Sequence, residues 1–241
     1  MTSEPIVFIP GFMCDARAFL PQIVQLGADH ACQVILPSGE ETIERLSEKV
    51  LANTPEKFVL VGHGLGGDVV MDVLRRAPER VLRVVLISTD PLAEPPKAAA
   101  SREARIVAAK AGRLVQAAAE DYPETAFAAT EWRDEVRALV ADMVLQLGEG
   151  VYIRQCRAAQ RRPDQSKTLR RALMPALILA GAEDGLVPVR RQEFLAGLLP
   201  HGRLQVIPGA GNLPMLEQPE AVTDALREFL AGPMMLRPAR R

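Results

Sequence analysis

Residues Phe58–Asp68 read Phe-Val-Leu-Val-Gly-His-Gly-Leu-Gly-Gly-Asp, and this stretch decides the fold. The apolar run Phe58–Val61 predicts a buried strand, and the glycines that follow it predict a tight turn. A helical pattern then runs from Val69 to Ala77. A strand–turn–helix connection of this kind presents the central residue of the turn at the edge of a sheet. Here that residue is Gly64, which has no side chain to present.

Strand-like and helix-like segments alternate along most of the chain. Each strand-like segment is a short apolar run, which is typical of strands buried on both faces of a parallel sheet. The sequence therefore predicts an α/β fold with a mostly parallel sheet flanked by helices. The predicted strands are Ile6–Ile9, Val34–Leu36, Phe58–Val61, Leu82–Ile87, Ala176–Ala180 and Leu204–Ile207. The predicted helices between and after them are Ala16–Leu26, Thr42–Leu51, Val69–Ala77, Val189–Leu199 and Pro219–Leu230.

The alternation stops between residues 91 and 172. Alanine-rich, charged stretches in this region predict helices over Ser101–Glu120, Glu131–Leu147 and Val151–Arg161. We therefore expect a core formed by residues 1–90 and 173–232, with residues 91–172 as a helical insertion. The last residues, 233–241, are expected to form a short, flexible basic tail.

The composition excludes several functional classes. A formal net charge of −1 gives no reason to expect nucleic acid or an anionic membrane as a partner. Cys14, Cys32 and Cys156 have no Cys-x-x-Cys spacing, which argues against a disulfide framework or a zinc site. No apolar run approaches the roughly 18 residues that span a bilayer. We expect a cytoplasmic protein with no metal and no cofactor; its oligomeric state is open.

Four motifs occur in the order and context of one known family. They are the stretch Phe58–Asp68, the segment Phe8–Arg17 with its Pro-Gly turn, the loop Gly181–Pro188 and the loop Pro208–Glu220. With these motifs the chain resembles the α/β-hydrolase family, in particular its compact esterase and enol-lactonase-like members. The resemblance covers nearly the whole chain and implies the α/β-hydrolase fold, in which the insertion forms a helical cap over the active site.

The resemblance also implies which residues stand at the catalytic positions. Gly64 stands at the nucleophile position, Asp184 at the position of the acid and Asn212 at the position of the histidine. The backbone N–H groups of Phe12 and Leu65 correspond to the oxyanion hole.

Two of these positions lack the groups that hydrolysis requires. In a working triad, Ser attacks the acyl carbon, His accepts its proton, and Asp orients the His. Gly64 offers no nucleophile, and the amide of Asn212 neither accepts nor releases a proton near neutral pH. Glycine is also the residue that best tolerates the strained backbone of such a turn.

Five further residues are expected to line the pocket. They are Met13, Cys14, His63, Ser88 and Thr89. Cys14 is an alternative thiol nucleophile, but without a histidine base its thiolate fraction would be small, since an ordinary thiol has a pKa of about 8.5. His63 precedes the turn and is expected to pack beneath it.

Three functions remain open at this point. The first is a catalytically silent or repurposed hydrolase fold that binds a small apolar, ester-like or lactone-like ligand under its cap. The second is a lyase, isomerase or cyclase that uses the oxyanion donors, with Asp184 as a base. The third is an inactivated copy of an active esterase, in which Gly64→Ser together with Asn212→His restores hydrolysis.

Overall fold

The computed structural model describes residues 4–233 and contains a six-stranded sheet. Every pair of neighbouring strands is parallel, in the order β2-β1-β3-β4-β5-β6, which confirms the predicted α/β fold. The strands are β1 (Ile6–Ile9), β2 (Cys32–Val34), β3 (Phe58–His63), β4 (Val81–Ile87), β5 (Ala176–Gly181) and β6 (Gly202–Ile207). The predicted flexible tail lies outside the described residues from position 234 onward.

Ten α-helices accompany the sheet within the described part of the chain. They are α1 (Leu20–Leu26), α2 (Ile43–Ala52), α3 (Leu65–Arg76), α4 (Pro96–Lys110), α5 (Leu114–Asp121), α6 (Arg133–Gln160), α7 (Ser166–Leu169), α8 (Val189–Leu198), α9 (Pro214–Glu217) and α10 (Pro219–Ala231). None of these helices is long and apolar enough to cross a membrane.

The sheet is covered on both faces, as its apolar strands predict. Side chains alternate across a strand, so neighbouring residues of β1 belong to different apolar clusters. Val7 and Ile9 pack in the cluster that contains α2, α3 and α8, whereas Ile6 and Phe8 pack in the cluster that contains α1 and α10. The two clusters together bury the central strands almost completely.

The strand order creates a crevice at the carboxyl edge of the sheet. The chain leaves β1 towards β2 on one side and leaves β3 towards β4 on the other. The turns after β1 and β3 therefore diverge, and ligands of open α/β sheets bind at such a switch point. This places the segment after Ile9 beside Gly64.

The predicted bounds of the second strand, Val34–Leu36, are wrong. The observed strand β2 lies two residues earlier. β2 pairs with β1 through Cys32 opposite Ile6 and Val34 opposite Phe8. It is an edge strand whose three residues are only half-buried, so its apolar pattern is weak and the adjoining run dominates the sequence signal.

The helix after the decisive turn begins at Leu65 rather than at Val69. The sequence pattern misses the first residues of α3, because Gly66 and Gly67 stand there and glycine has a low helix propensity. The predicted helix Ser101–Glu120 is in fact two helices, α4 and α5, separated at Gly112 with φ 78°. The last two predicted helices of the insertion join as α6, with a kink at Gly148, where φ is 77° and ψ is 174°.

Helices α4–α7 lie between β4 and β5, and α4, α5 and α6 share an apolar cluster of their own. Its buried members from this region include Ile106, Val144 and Tyr152, and Met13 from the segment after β1 packs among them. Gln155 of α6 accepts a hydrogen bond from the Met13 N–H (2.7 Å) and donates one to the Pro37 carbonyl (3.0 Å). The insertion is therefore attached to the core directly above the switch point.

The start of α3 depends on the close contact of Gly66 with the end of β1. A Cβ atom on Gly66 would overlap the carbonyl oxygen of Ile9, whereas a Cβ on Gly197 of α8 would have nothing within 4 Å. We predict that Gly66→Ala lowers the free energy of unfolding by about 3 kcal/mol, because the backbone must shift. Gly197→Ala, the matched control, should raise it by about 0.5–1 kcal/mol. Chemical denaturation of both variants measures this, and equal effects would refute the close-contact explanation.

Candidate functional site

The turn between β3 and α3 holds Gly64 in a conformation that favours glycine. Its φ is 50° and its ψ is −119°. The Gly64 N–H donates to the Ile87 carbonyl (3.0 Å), and its own carbonyl accepts from Thr89 Oγ1 (2.9 Å). A Cβ at this position would meet only the Cα of Gly11, 3.8 Å away. The turn therefore has room for a side chain, at the cost of a strained backbone.

Asp184 and Asn212 lie together behind this turn. The Asn212 Nδ2 donates to Asp184 Oδ2 (3.0 Å), while Asp184 Oδ1 accepts from the N–H groups of Leu186 (2.8 Å) and Val187 (2.9 Å). Burial raises the pKa of Asp184, and these donors partly offset the increase. Both oxygens accept hydrogen bonds, so Asp184 is not a free carboxylate, and its expected role as a base stays a prediction.

The two expected oxyanion donors face the same space. Phe12 and Leu65 both line the cavity beside Gly64. Among residues 4–233 neither backbone N–H has a hydrogen-bond acceptor. Leu65 is the first residue of α3, whose free N–H groups and dipole favour negative charge at that end of the helix. The arrangement can accept a carbonyl oxygen or an anion.

His63 fixes the turn to the loop that carries Asn212. Its ring is buried, and Nε2 lies 2.9 Å from the Asn212 carbonyl oxygen, to which it donates. A Cβ on Gly11 would overlap Nδ1, so the ring fills the space beneath the segment after β1. Burial lowers the pKa of His63 to about 4. The ring is neutral near pH 7 and serves to position the loops.

Cys14 is not a nucleophile in this structure. Its side chain is fully buried, and Sγ lies 3.5 Å from the hydroxyl oxygen of Tyr122. Burial raises the pKa of the thiol to about 12, so the reactive thiolate is absent at neutral pH. Met13 is also completely buried and does not line the cavity, contrary to expectation.

Ser88 and Thr89 line the cavity at the end of β4, as expected for the carboxyl edge of the sheet. Ser88 has a φ of 45°, unusual for a residue with a side chain. Thr89 donates to the Gly64 carbonyl and accepts, through its own carbonyl, from Gln192 Nε2 (2.7 Å). The two residues thus connect β4 to the turn.

A cavity of about 390 Å³ lies between the turn and the insertion. Its lining contains eight charged residues: Asp68, Asp90, Glu94, Arg102, Arg105, Glu120, Asp121 and Arg162. Charged groups in such number do not suit an apolar compound. The expectation of an apolar ligand stays a prediction, which these groups disfavour. The insertion contributes arginines and carboxylates that sequence reasoning did not assign to the site.

Most of these charges neutralise one another. Arg102 contacts Glu94 (2.9 Å) and Asp121 (3.3 Å), and Arg105 also contacts Asp121 (3.2 Å). The hydroxyl of Tyr152 donates to the same Asp121 carboxylate (2.7 Å). The network belongs to α4, α5, α6 and the linker before them, and it forms one wall of the cavity.

A second, more apolar cleft of about 340 Å³ lies between α5 and α6. Its lining includes Val115, Ala118, Val140 and Val144. Tyr122 lines both this cleft and the charged cavity, and its hydroxyl donates to the Phe12 carbonyl (2.6 Å).

Asp68 is a buried carboxylate that the sequence patterns do not single out. It lies in the first turn of α3, and its closest charged partner is Arg162, whose Nη1 is 3.5 Å from Oδ2. Burial raises the pKa of Asp68 to about 6, although Arg162 opposes the increase. Asp68 follows Gly64 by four residues, and residues four apart share a helix face. This spacing is the sequence signal that would have revealed Asp68.

Comparisons with known proteins agree with this fold. Residues 40–219, about three quarters of the chain, match the family model described as alpha/beta hydrolase fold. A pimeloyl-[acyl-carrier protein] methyl ester esterase from Aromatoleum aromaticum is 29% identical over 81% of this chain and 83% of its own length. One from Edwardsiella ictaluri is 26% identical over 94% and 93%.

Solved structures give the same result. A thermophilic esterase from Thermogutta terrifontis superposes with a TM-score of 0.85 at 26% identity, covering 95% of this chain and 90% of that one. The enol-lactonase from Burkholderia xenovorans LB400 superposes with a TM-score of 0.84 at 21% identity, covering 96% and 93%, and shows the shared fold.

The pKa of Asp68 makes stability depend on pH in a defined direction. The folded-state pKa of about 6 exceeds the ordinary value of 3.8, so the folded protein binds the proton more tightly. Wild-type stability attributable to this group is therefore present below about pH 4 and is lost as the pH rises through 6. The free energy of unfolding of Asp68→Asn, relative to wild type, should increase by about 3 kcal/mol across this interval.

Denaturant titrations at several pH values measure this difference. Asp224→Asn is the matched control, because the Asp224 side chain is 75% exposed and should show no such trend. A difference between Asp68→Asn and wild type that stays flat with pH would contradict a raised pKa.

Proposed function

The chain belongs to the α/β-hydrolase family, and we propose that it binds a small ester- or lactone-like compound without hydrolysing it. The observation that carries the proposal is Gly64 at the nucleophile position, in a turn that still has the geometry and the space for a side chain. The relatives are esterases and an enol-lactonase by name, which supports a carbonyl compound as the ligand.

The absence of a nucleophile and of a base is the chemical reason for the silent site. An acyl-enzyme requires an attacking oxygen or sulfur atom and a proton acceptor beside it. Gly64 lacks the first, and Asn212 holds Asp184 in a hydrogen bond that cannot relay a proton. His63 and Cys14, the two alternatives nearby, are buried in their neutral forms.

The remaining parts of the site support binding of a carbonyl group. The N–H groups of Phe12 and Leu65 face the cavity and would hold the carbonyl oxygen of the ligand. We propose that the insertion, residues 91–172, acts as a cap that selects the rest of the ligand. Its charged wall favours a polar compound with several hydrogen-bonding groups over a hydrocarbon chain.

An inactivated copy of an active esterase is the second candidate, and it predicts that hydrolysis can be restored. The variant Gly64→Ser with Asn212→His should hydrolyse short p-nitrophenyl esters at least about 100-fold faster than wild type. A serine side chain at position 64 would find open space, and a histidine at position 212 would lie beside Asp184. Each single change should do little, because triad members act as a unit.

The matched control is Gly64→Ala with Asn212→His, which has the same backbone strain and no nucleophile. A folded double variant with serine that is no faster than this control would show that the pocket has been rebuilt for another purpose. Wild-type turnover as fast as that of the double variant would refute a non-hydrolysing site.

Binding without turnover is the direct prediction for the wild-type protein. A panel of small hydroxylated or carboxylated lactones should raise the melting temperature, since a ligand that binds only the folded state stabilises it. An apolar lactone of equal size is the control and should bind more weakly. Stabilisation by the apolar compound alone would contradict the assigned cavity.

A further inference from the structure

Asp68 is the least satisfied of the buried carboxylates around the site. Asp184 accepts three hydrogen bonds, and Glu217 accepts from the backbone N–H groups of Ala128, Gly211 and Leu213. Among the described residues Asp68 has only the long contact of 3.5 Å with Arg162, although it is 5% exposed. Buried carboxylates normally accept hydrogen bonds at both oxygens. A carboxylate in a cavity with a single contact of 3.5 Å therefore needs an explanation.

The position of Asp68 on α3 directs it towards the candidate oxyanion donors. It follows Leu65 by three residues and Gly64 by four, so it lies on the same side of the first helical turn. Side chains on a helix lean towards its N-terminus, which is the end at which Gly64 stands. All three residues line the same cavity.

The charged groups facing Asp68 come from two other segments. Arg162 follows α6 and lies closest, while Asp90 and Glu94 belong to the segment after β4. Glu94 is engaged by Arg102. Asp90 accepts from the Leu92 N–H (3.0 Å) and lies 3.5 Å from Arg191. Asp68 is therefore the carboxylate in this group that accepts no backbone hydrogen bond and has no partner closer than 3.5 Å.

We propose that Asp68 is a general base that removes a proton from the carbon next to the ligand's carbonyl group and returns it at another carbon. The inference rests on the proposed function, because the carbonyl oxygen must lie between the N–H groups of Phe12 and Leu65. It assigns an isomerase activity, a proton shift within an unsaturated lactone, to a site that has no nucleophile.

The reaction balances without a co-reactant. The C–H bond next to the carbonyl breaks, its electron pair moves onto the carbonyl oxygen as an enolate, and Asp68 takes the proton. The two N–H groups and the N-terminus of α3 stabilise the negative charge on that oxygen. The double bond then shifts as Asp68 returns a proton to the γ-carbon, and the carbonyl group re-forms.

The experiment uses the intact protein with the carboxymethyl analogue of α-angelica lactone, a β,γ-unsaturated lactone that carries a carboxylate, in D₂O. Proton NMR should show formation of the conjugated isomer with deuterium at C5. Asp68→Asn should reduce this rate by about 100-fold or more, the usual contribution of a positioned base. Asp68→Glu should retain part of it, and Asp224→Asn, a surface carboxylate outside the cavity, should match wild type.

The pH profile separates a base from a structural residue. The wild-type rate should rise with pH and level off above about 6, where Asp68 is ionised in the field of Arg162, Asp90 and Glu94. A folded Asp68→Asn protein with an unchanged rate would overturn the proposal. A wild-type rate independent of pH from 5 to 8 would overturn it as well.

The same spectra distinguish this inference from the proposed function. Saturation-transfer signals from the bound lactone without deuterium incorporation would overturn the inference and leave the binding function in place. Appearance of the ring-opened γ-keto acid in the wild-type sample would show hydrolysis and refute the non-hydrolysing site. Absence of binding would overturn both.

Discussion

The close approach of α3 to the ends of β1 and β4 is the constraint on which the site depends. Gly66 lies against the Ile9 carbonyl, and a Cβ on Gly67 would come within 2.6 Å of Thr89 Oγ1. The helix can therefore begin immediately at the sheet edge, with its free N–H groups beside the turn after β1. A larger residue at either position would push α3 away, and the cavity would lose the wall that carries Leu65 and Asp68.

Buried charge is the second feature that organises the molecule. Arg102, Arg105 and Asp121 form a network between the insertion helices, and Arg162 reaches Asp68 on the core. Buried ion pairs contribute little net stability, since their desolvation is costly. Their concentration around one cavity therefore fits a requirement of the ligand better than a requirement of the fold. The same wall places charged groups beside apolar ones in the lining of the cavity.

The sequence predicted the buried strands closely, and it predicted the half-buried strand β2 and the glycine-containing helices less closely. β1 was predicted at its observed bounds, because an apolar run closed by Pro10-Gly11 permits few alternatives. β2 was misplaced, since an edge strand is half-buried and carries a weak pattern. The start of α3 was hidden by its glycines, and the break at Gly112 was missed, whereas the break at Gly148 was predicted.

The sequence was enough to predict the α/β fold and to propose a site at the turn after β3, where Gly64 has no side chain, because these depend on local pattern and residue identity. Only the fold brings the charged groups of the insertion to the cavity, places Asn212 against Asp184 and leaves Asp68 with one contact at 3.5 Å to Arg162. The reason is physical: hydrogen-bond partners and burial come from segments far apart in the chain, as with Asp68 and Arg162. Local pattern carries no record of which distant side chains will meet.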